Sequence, residues 1–158
     1  MKMTSFLYAV ITRARTLLIY IAVSIMIVNV TVGVFYRYIL NDSISWTEEL
    51  ARYLMVWFAL LGMGLALRDN NHVGVSFFLE RMPGTAARIV KIAGGFLVLL
   101  FLVILFKYSL NHLQVVRIQT SPSIGIPMYL PYSAITIGSF LMILECLRHL
   151  YLQLTRQE

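Results

Sequence analysis

Residues 43–54, SISWTEELARYL, set two adjacent glutamates, a tryptophan and an arginine directly ahead of a long apolar run. Ser45 followed three residues later by Glu48 matches a capping box, in which the serine accepts from a first-turn amide and the glutamate reaches back. Glu48 and Glu49 complement the positive end of a helix dipole, and Glu48 stands one turn from Arg52. From Tyr53 to Leu67 no charge follows. The stretch reads as the start of a helix that continues into lipid.

Working outward, the same reading repeats. Of 158 residues 59% are hydrophobic and 13% charged, with a mean hydropathy of +0.80; soluble domains carry about 25% charged residues. A hydrocarbon core of roughly 30 Å asks for about 20 apolar residues per helix. Thr16 to Tyr36 is uncharged, Tyr53 to Leu67 extends back to Trp46, and Ile92 to Phe106 lies between Lys91 and Lys107. Ile118 to Leu144 is uncharged but broken early by prolines. These segments predict an all-α integral membrane protein of four transmembrane helices, at about 16–36, 46–67, 88–110 and 129–150. Residues 1–158 then form one transmembrane domain, with no room for a soluble one.

The first apolar segment is too long for a signal-peptide core and is read as retained. Net charge is +6, but the basic residues gather at helix ends, where they meet lipid headgroups rather than nucleic acid. Arg13, Arg15, Arg37, Arg68, Arg88, Lys91, Lys107 and Arg148 are the candidate interfacial anchors. One side of the bundle holds Lys2, Arg13, Arg15, Arg68, Arg81, Arg88, Lys91, Arg148 and Arg156, and the other only Arg37, Arg52, Lys107 and Arg117. The positive-inside rule puts both termini in the cytoplasm. Residues 1–15 place Phe6, Leu7, Val10 and Ile11 on one face, which suits a short helix in the interface plane or an extension of the first span.

Asn41-Asp42-Ser43 signals a turn between the first two spans. After the second, the polar then amphipathic run 68–84 ends in Pro83-Gly84 and is expected to follow the cytoplasmic face. Before the fourth, Pro122, Pro127, Pro131 and Gly125 forbid a continuous helix, so that span begins near Met128 to Pro131.

The candidate sites separate by depth. Arg52 lies at the headgroup boundary and needs a partner, either Glu48 or Glu49 or a group on another subunit. The middles of the spans offer only Asn29, Thr31, Ser24 and similar groups, whereas ion-moving transporters place ionisable groups or broken helices there. The four-helix multidrug-resistance proteins, which depend on a buried acid, are therefore a poor match. His72 and His149 fall at the cytoplasmic boundary and His112 at the external end of span three, unsuited to ligating haem between helices. Cys146 stands alone, which excludes an intrachain disulfide. Gly62 with Ala66, Ala134 with Gly138, Gly64 and Gly94-Gly95 allow close helix approach.

The order of these features resembles the small (Q-type) membrane subunit of tripartite ATP-independent periplasmic (TRAP) transporters. The resemblance spans nearly the whole chain and rests on FYRYILNDSISWTEELARYLMVWFALLGMGLALRDNNHVGV, residues 35–75, and on TSPSIGIPMYLPYS, residues 120–133. It implies a non-catalytic scaffold without cofactors in the bacterial inner membrane. Its partners would be a large (M-type) membrane subunit that carries sodium and an organic carboxylate, such as a C4-dicarboxylate or sialic acid, a periplasmic binding protein, and lipid. By the same resemblance Trp46, Glu48, Glu49, Arg52 and His72 are helix-start and intersubunit residues, and residues 37–48 and 117–131 face the binding protein. A membrane anchor of a redox enzyme, holding haem or quinone, is the alternative, and a self-sufficient small transporter a third.

Overall fold

The structure, a computed structural model, describes residues 2–68 and 83–155. Four helices account for nearly all of them: α1 (Lys2–Tyr38), α2 (Ser45–Arg68), α3 (Gly84–Val116) and α4 (Tyr129–Thr155). All four contain segments long and apolar enough to cross a membrane, at Val10–Tyr38, Ser45–Ala66, Ala86–Val116 and Tyr129–Thr155. The expectation of an all-helical, four-span protein holds.

α1 runs unbroken for 37 residues, about 55 Å at 1.5 Å per residue. The segment before Thr16 thus extends the first span rather than forming a separate helix in the interface plane. The turn at Asn41 uses a left-handed residue, φ 51°, with the Asp42 amide returning to the Tyr36 carbonyl at 3.1 Å. α4 opens at Tyr129 with Pro131 inside its first turn, where the missing amide leaves no helical bond unmade.

The helices pack in the order α1, α2, α4, α3, each against the next. Chain neighbours α2 and α3 are therefore separated by α4. α2 and α4 run parallel in the middle of this row and α1 and α3 flank it. In the most apolar stretch of α4, 39% of residues are buried, against 6% in α1 and α3.

Small residues decide the spacing where the middle helices meet. A Cβ on Gly138 would stand 2.8 Å from Leu60 Cβ, and Ala134 is fully enclosed. On α3, a Cβ on Gly95 would meet Leu150 Cδ2 at 2.5 Å. Gly62 and Gly94 face open space. Of the two pairs at four-residue spacing, Ala134 with Gly138 packs inside the chain and Gly62 with Ala66 does not. The core proper is Leu102, Met142, Cys146 and Leu150, and Cys146 reaches the Gly95 carbonyl with its sulfur at 3.5 Å. A hydroxyl pair, Thr136 donating to Ser109 at 3.0 Å, ties α3 to α4 farther toward the links.

Candidate functional site

Two polar arrangements stand out from this apolar frame, displaced from one another along the length of the helices. At the end bearing the links 39–44 and 117–128, Glu49 sits in the first turns of α2 with 3% of its surface exposed. One carboxylate oxygen accepts from the Tyr53 hydroxyl, one turn on. The other accepts from the backbone amides of Ser123 at 2.9 Å and Ile124 at 3.2 Å. The Tyr53 hydroxyl also lies 3.3 Å from Met128 Sδ.

The amides come from a tight hairpin. Ser121 donates to the Ile126 carbonyl at 2.8 Å, Met128 to Gln119 at 2.9 Å and Gly125 back to Ser121 at 3.1 Å. Gly125 has φ 77°, a conformation that suits glycine because it lacks a Cβ. The proline-rich segment is thus folded, with two consecutive N–H groups aimed at one carboxylate, the nest geometry that suits an anion.

Glu48 behaves differently from expectation. It pairs with Arg37, in the last turn of α1, not with Arg52. Both partners are exposed, at 51% and 60%, so the pair staples the first hairpin only weakly. Helix α2 also begins at Ser45 itself, with the Thr47 hydroxyl bonded to the Ile44 carbonyl at 2.7 Å. Adjacent in sequence, the two glutamates point to different neighbours because successive helical residues lie about 100° apart. Arg52 is exposed and makes no hydrogen bond or ion pair among the described residues. Trp46 is 42% exposed, outside the Glu49 cluster. His72 lies outside the described residues.

At the other end the sequence reading needs correction. Arg15, expected among the interfacial anchors, is 4% exposed and donates to Glu145 of α4 at 2.9 Å. The pair crosses α2 where Gly64 leaves room: a Cβ there would stand 2.9 Å from Arg15 Nη1. The bundle interior is therefore not bare of charge. It holds an internally neutral pair, and burial is tolerated because each charge has its counter-ion at hydrogen-bond distance. The signal was present in the sequence as the single acid inside span four, but nothing local said that its partner lay 130 residues away. Asn29, buried on α1, likewise donates to the Thr47 carbonyl at 2.7 Å, beside Gly33, whose Cβ would meet Thr47 Oγ1 at 2.8 Å.

Of the remaining anchors, Arg13, Arg88, Lys91, Lys107 and Arg148 have exposed side chains. The His112 ring packs edge-on to Tyr132, with centroids 4.8 Å apart, and His149 meets Gln153 at 3.5 Å. Among the described residues no three His, Cys, Asp or Glu side chains gather in a way that would hold a metal ion.

The profile described as "Tripartite ATP-independent periplasmic transporters, DctQ component" matches residues 26–156. A TRAP transporter small permease of Haemophilus influenzae is 31% identical over 132 residues, covering 84% of this chain and 82% of that protein. The C4-dicarboxylate TRAP transporter small permease DctQ of Rhodobacter capsulatus is 32% identical over 111 residues, 68% of this chain and 47% of its own length. The isethionate TRAP transporter permease DctMQ of Oleidesulfovibrio alaskensis is 29% identical over 129 residues; the match covers 77% of this chain but 20% of that longer protein. None of these matches supports a redox-enzyme anchor.

Proposed function

The chain belongs to the DctQ-component family of tripartite ATP-independent periplasmic transporters, and from that premise we propose that it is the non-catalytic small subunit bracing a large membrane subunit during binding-protein-dependent uptake. As a family member it is a multi-pass inner-membrane protein. The observation that carries the proposal is the match of most of this chain to one fifth of a much longer permease, which supports a partner in the same membrane. The row of helices suits a brace: its middle is locked by Gly138 and the Arg15–Glu145 pair, while α1 and α3 keep apolar flanks open to lipid or to the partner.

The cargo we propose is an organic carboxylate such as a C4-dicarboxylate or sialic acid, moved with sodium on the large subunit. Small subunits named for C4-dicarboxylate and, over a shorter 50-residue match, for sialic acid are among the relatives. In this reading the termini lie in the cytoplasm and the links 39–44 and 117–128 in the periplasm, as the nine-to-four bias of Lys and Arg favours. Arg52, exposed at the head of α2, is then a contact for the large subunit.

Affinity purification in mild detergent tests the assembly. A membrane protein several times longer should come with the chain, and the reconstituted pair should accumulate carboxylate only with a sodium gradient and a binding protein. Solute flux through the chain alone, or a Soret band from bound haem, would overturn the proposal.

A further inference from the structure

The uncharged runs of the four helices do not stand level with one another. Side-chain contacts set the common scale. Asn29 and Gly33 bracket Thr47, so antiparallel counting puts Met26, the middle of the run Thr16–Tyr36, level with Arg52 of α2. Leu60 lies against Gly138 and Gly64 against Met142, a parallel register that puts Arg68 level with Cys146. Gly95 lies against Leu150 and Thr136 bonds to Ser109. Leu99, the middle of the run Ile92–Phe106, is therefore level with Cys146 as well. The apolar middle of α1 thus stands at the level of Arg52 and that of α3 at the level of Arg68, about 24 Å apart along the helices. The run of α2, Tyr53–Leu67, centres on Leu60, halfway between them.

We propose that the row stands obliquely in the bilayer, its helices leaning about 40° from the membrane normal within the plane of the row. A flat hydrocarbon slab has to meet each apolar run at that run's own level. Three interaxial steps of about 8–10 Å put α1 and α3 about 27 Å apart, and a midplane that falls about 24 Å across that width is inclined by about 40°. Two further features agree. α1, α3 and α4 offer spans of 29, 31 and 27 residues, about 40–47 Å of helix, where an upright crossing takes about 20 residues; a long span fits a thinner core by tilting. Lys107 is exposed on α3 at the level of Gly138, the middle of α2 and α4. In an upright row its ammonium would sit in mid-hydrocarbon, where a charge is costly. In an oblique row it lies about 12 Å of helix beyond the middle of α3, within snorkelling reach of the headgroups. The hydrocarbon band therefore crosses α1 nearer the links and α3 nearer the chain termini. This placement needs only the four spans and their charges, whichever molecules cover the flanks, and not the transporter reading.

The test uses the full chain, with any membrane protein that copurifies, in bilayers of phosphatidylethanolamine and phosphatidylglycerol. Solid-state NMR of backbone amides in aligned bilayers reads helix tilt on the unaltered chain. The mean lean of the four helices should be near 40°, against about 20° for spanning helices in general; a mean below about 30° would overturn the proposal. Nitroxide depth gives a second reading, with Cys146→Ala as the background. The ratio of oxygen to nickel-chelate collisions measures depth, and cover by a neighbouring protein lowers both. Ile27 and Leu100 are exposed and stand about 24 Å apart in level, whereas Leu18 and Tyr108, also exposed, are nearly level with each other and with Leu60. In an oblique row, labels on Ile27→Cys and Leu100→Cys lie at the midplane, and those on Leu18→Cys and Tyr108→Cys lie toward the headgroups. An upright row reverses the ranking. The first pair should therefore show an oxygen-to-nickel ratio several-fold above the second, and an equal or reversed ranking would overturn the oblique placement. Should a cysteine variant fail to fold, the tilt of the unaltered chain still decides.

Discussion

Glu49 and Glu145 are both buried carboxylates in an apolar bundle, 3% and 7% exposed, yet they are satisfied in opposite ways. Glu145 is met by a guanidinium on a different helix, across a gap that Gly64 leaves open. Glu49 is met by neutral donors, a phenol and two loop amides. The first arrangement joins three long helices and lies inside the frame. The second ties a short loop to one helix end. Removing Arg15 therefore takes a buried carboxylate's guanidinium away from inside the frame, whereas removing Glu49 leaves two amides at the end of the bundle, where water can replace the carboxylate. The same residue type thus serves global assembly in one place and local shape in the other.

The sharpest way to break this contrast is Arg15→Ala. It leaves the Glu145 carboxylate without its guanidinium and should cost about 3–5 kcal/mol, read as a fall in thermal stability of the purified protein in mild detergent. The double change Arg15→Met with Glu145→Leu should cost far less than the single one, because apolar groups of similar volume replace a buried pair at little net loss. If the double variant is as damaged as the single, the pair is doing something other than neutralising itself. Glu49→Ala comes next. Its effect on global melting should be smaller than that of Arg15→Ala, with the change concentrated in amide exchange of 119–128. A melting loss equal to that of Arg15→Ala would erase the distinction between frame and loop. Smallest of all, Arg37→Ala removes the exposed pair with Glu48 and should shift stability by less than about 1 kcal/mol, diminishing further as salt is added.

What the sequence makes legible follows from the range of each interaction. The four spans were legible because the bilayer imposes a length of apolar chain that is visible residue by residue. The break before α4 was legible for an equally local reason, since Pro122, Pro127 and Pro131 act through their own backbone. Glu48 and Glu49 were recognisable as the opening of α2, but their partners were not. The local rule favoured Arg52, four and three residues on, and the folded chain chose Arg37 for one and the hairpin for the other. Arg15 looked like an anchor because it borders an apolar run. Its burial depends on Gly64 and Glu145, which lie on two other helices.

Composition and apolar run lengths, then, were enough to establish a four-helix membrane protein, and the order of its motifs pointed to its family. Only the packing decided that α4 would stand between α2 and α3, that Gly138 and Gly64 rather than Gly62 would admit close neighbours, and which charges would meet. The physical reason is that partition into lipid depends on each segment by itself, whereas satisfying a buried charge depends on which side chains the packed helices bring within about 3 Å of one another.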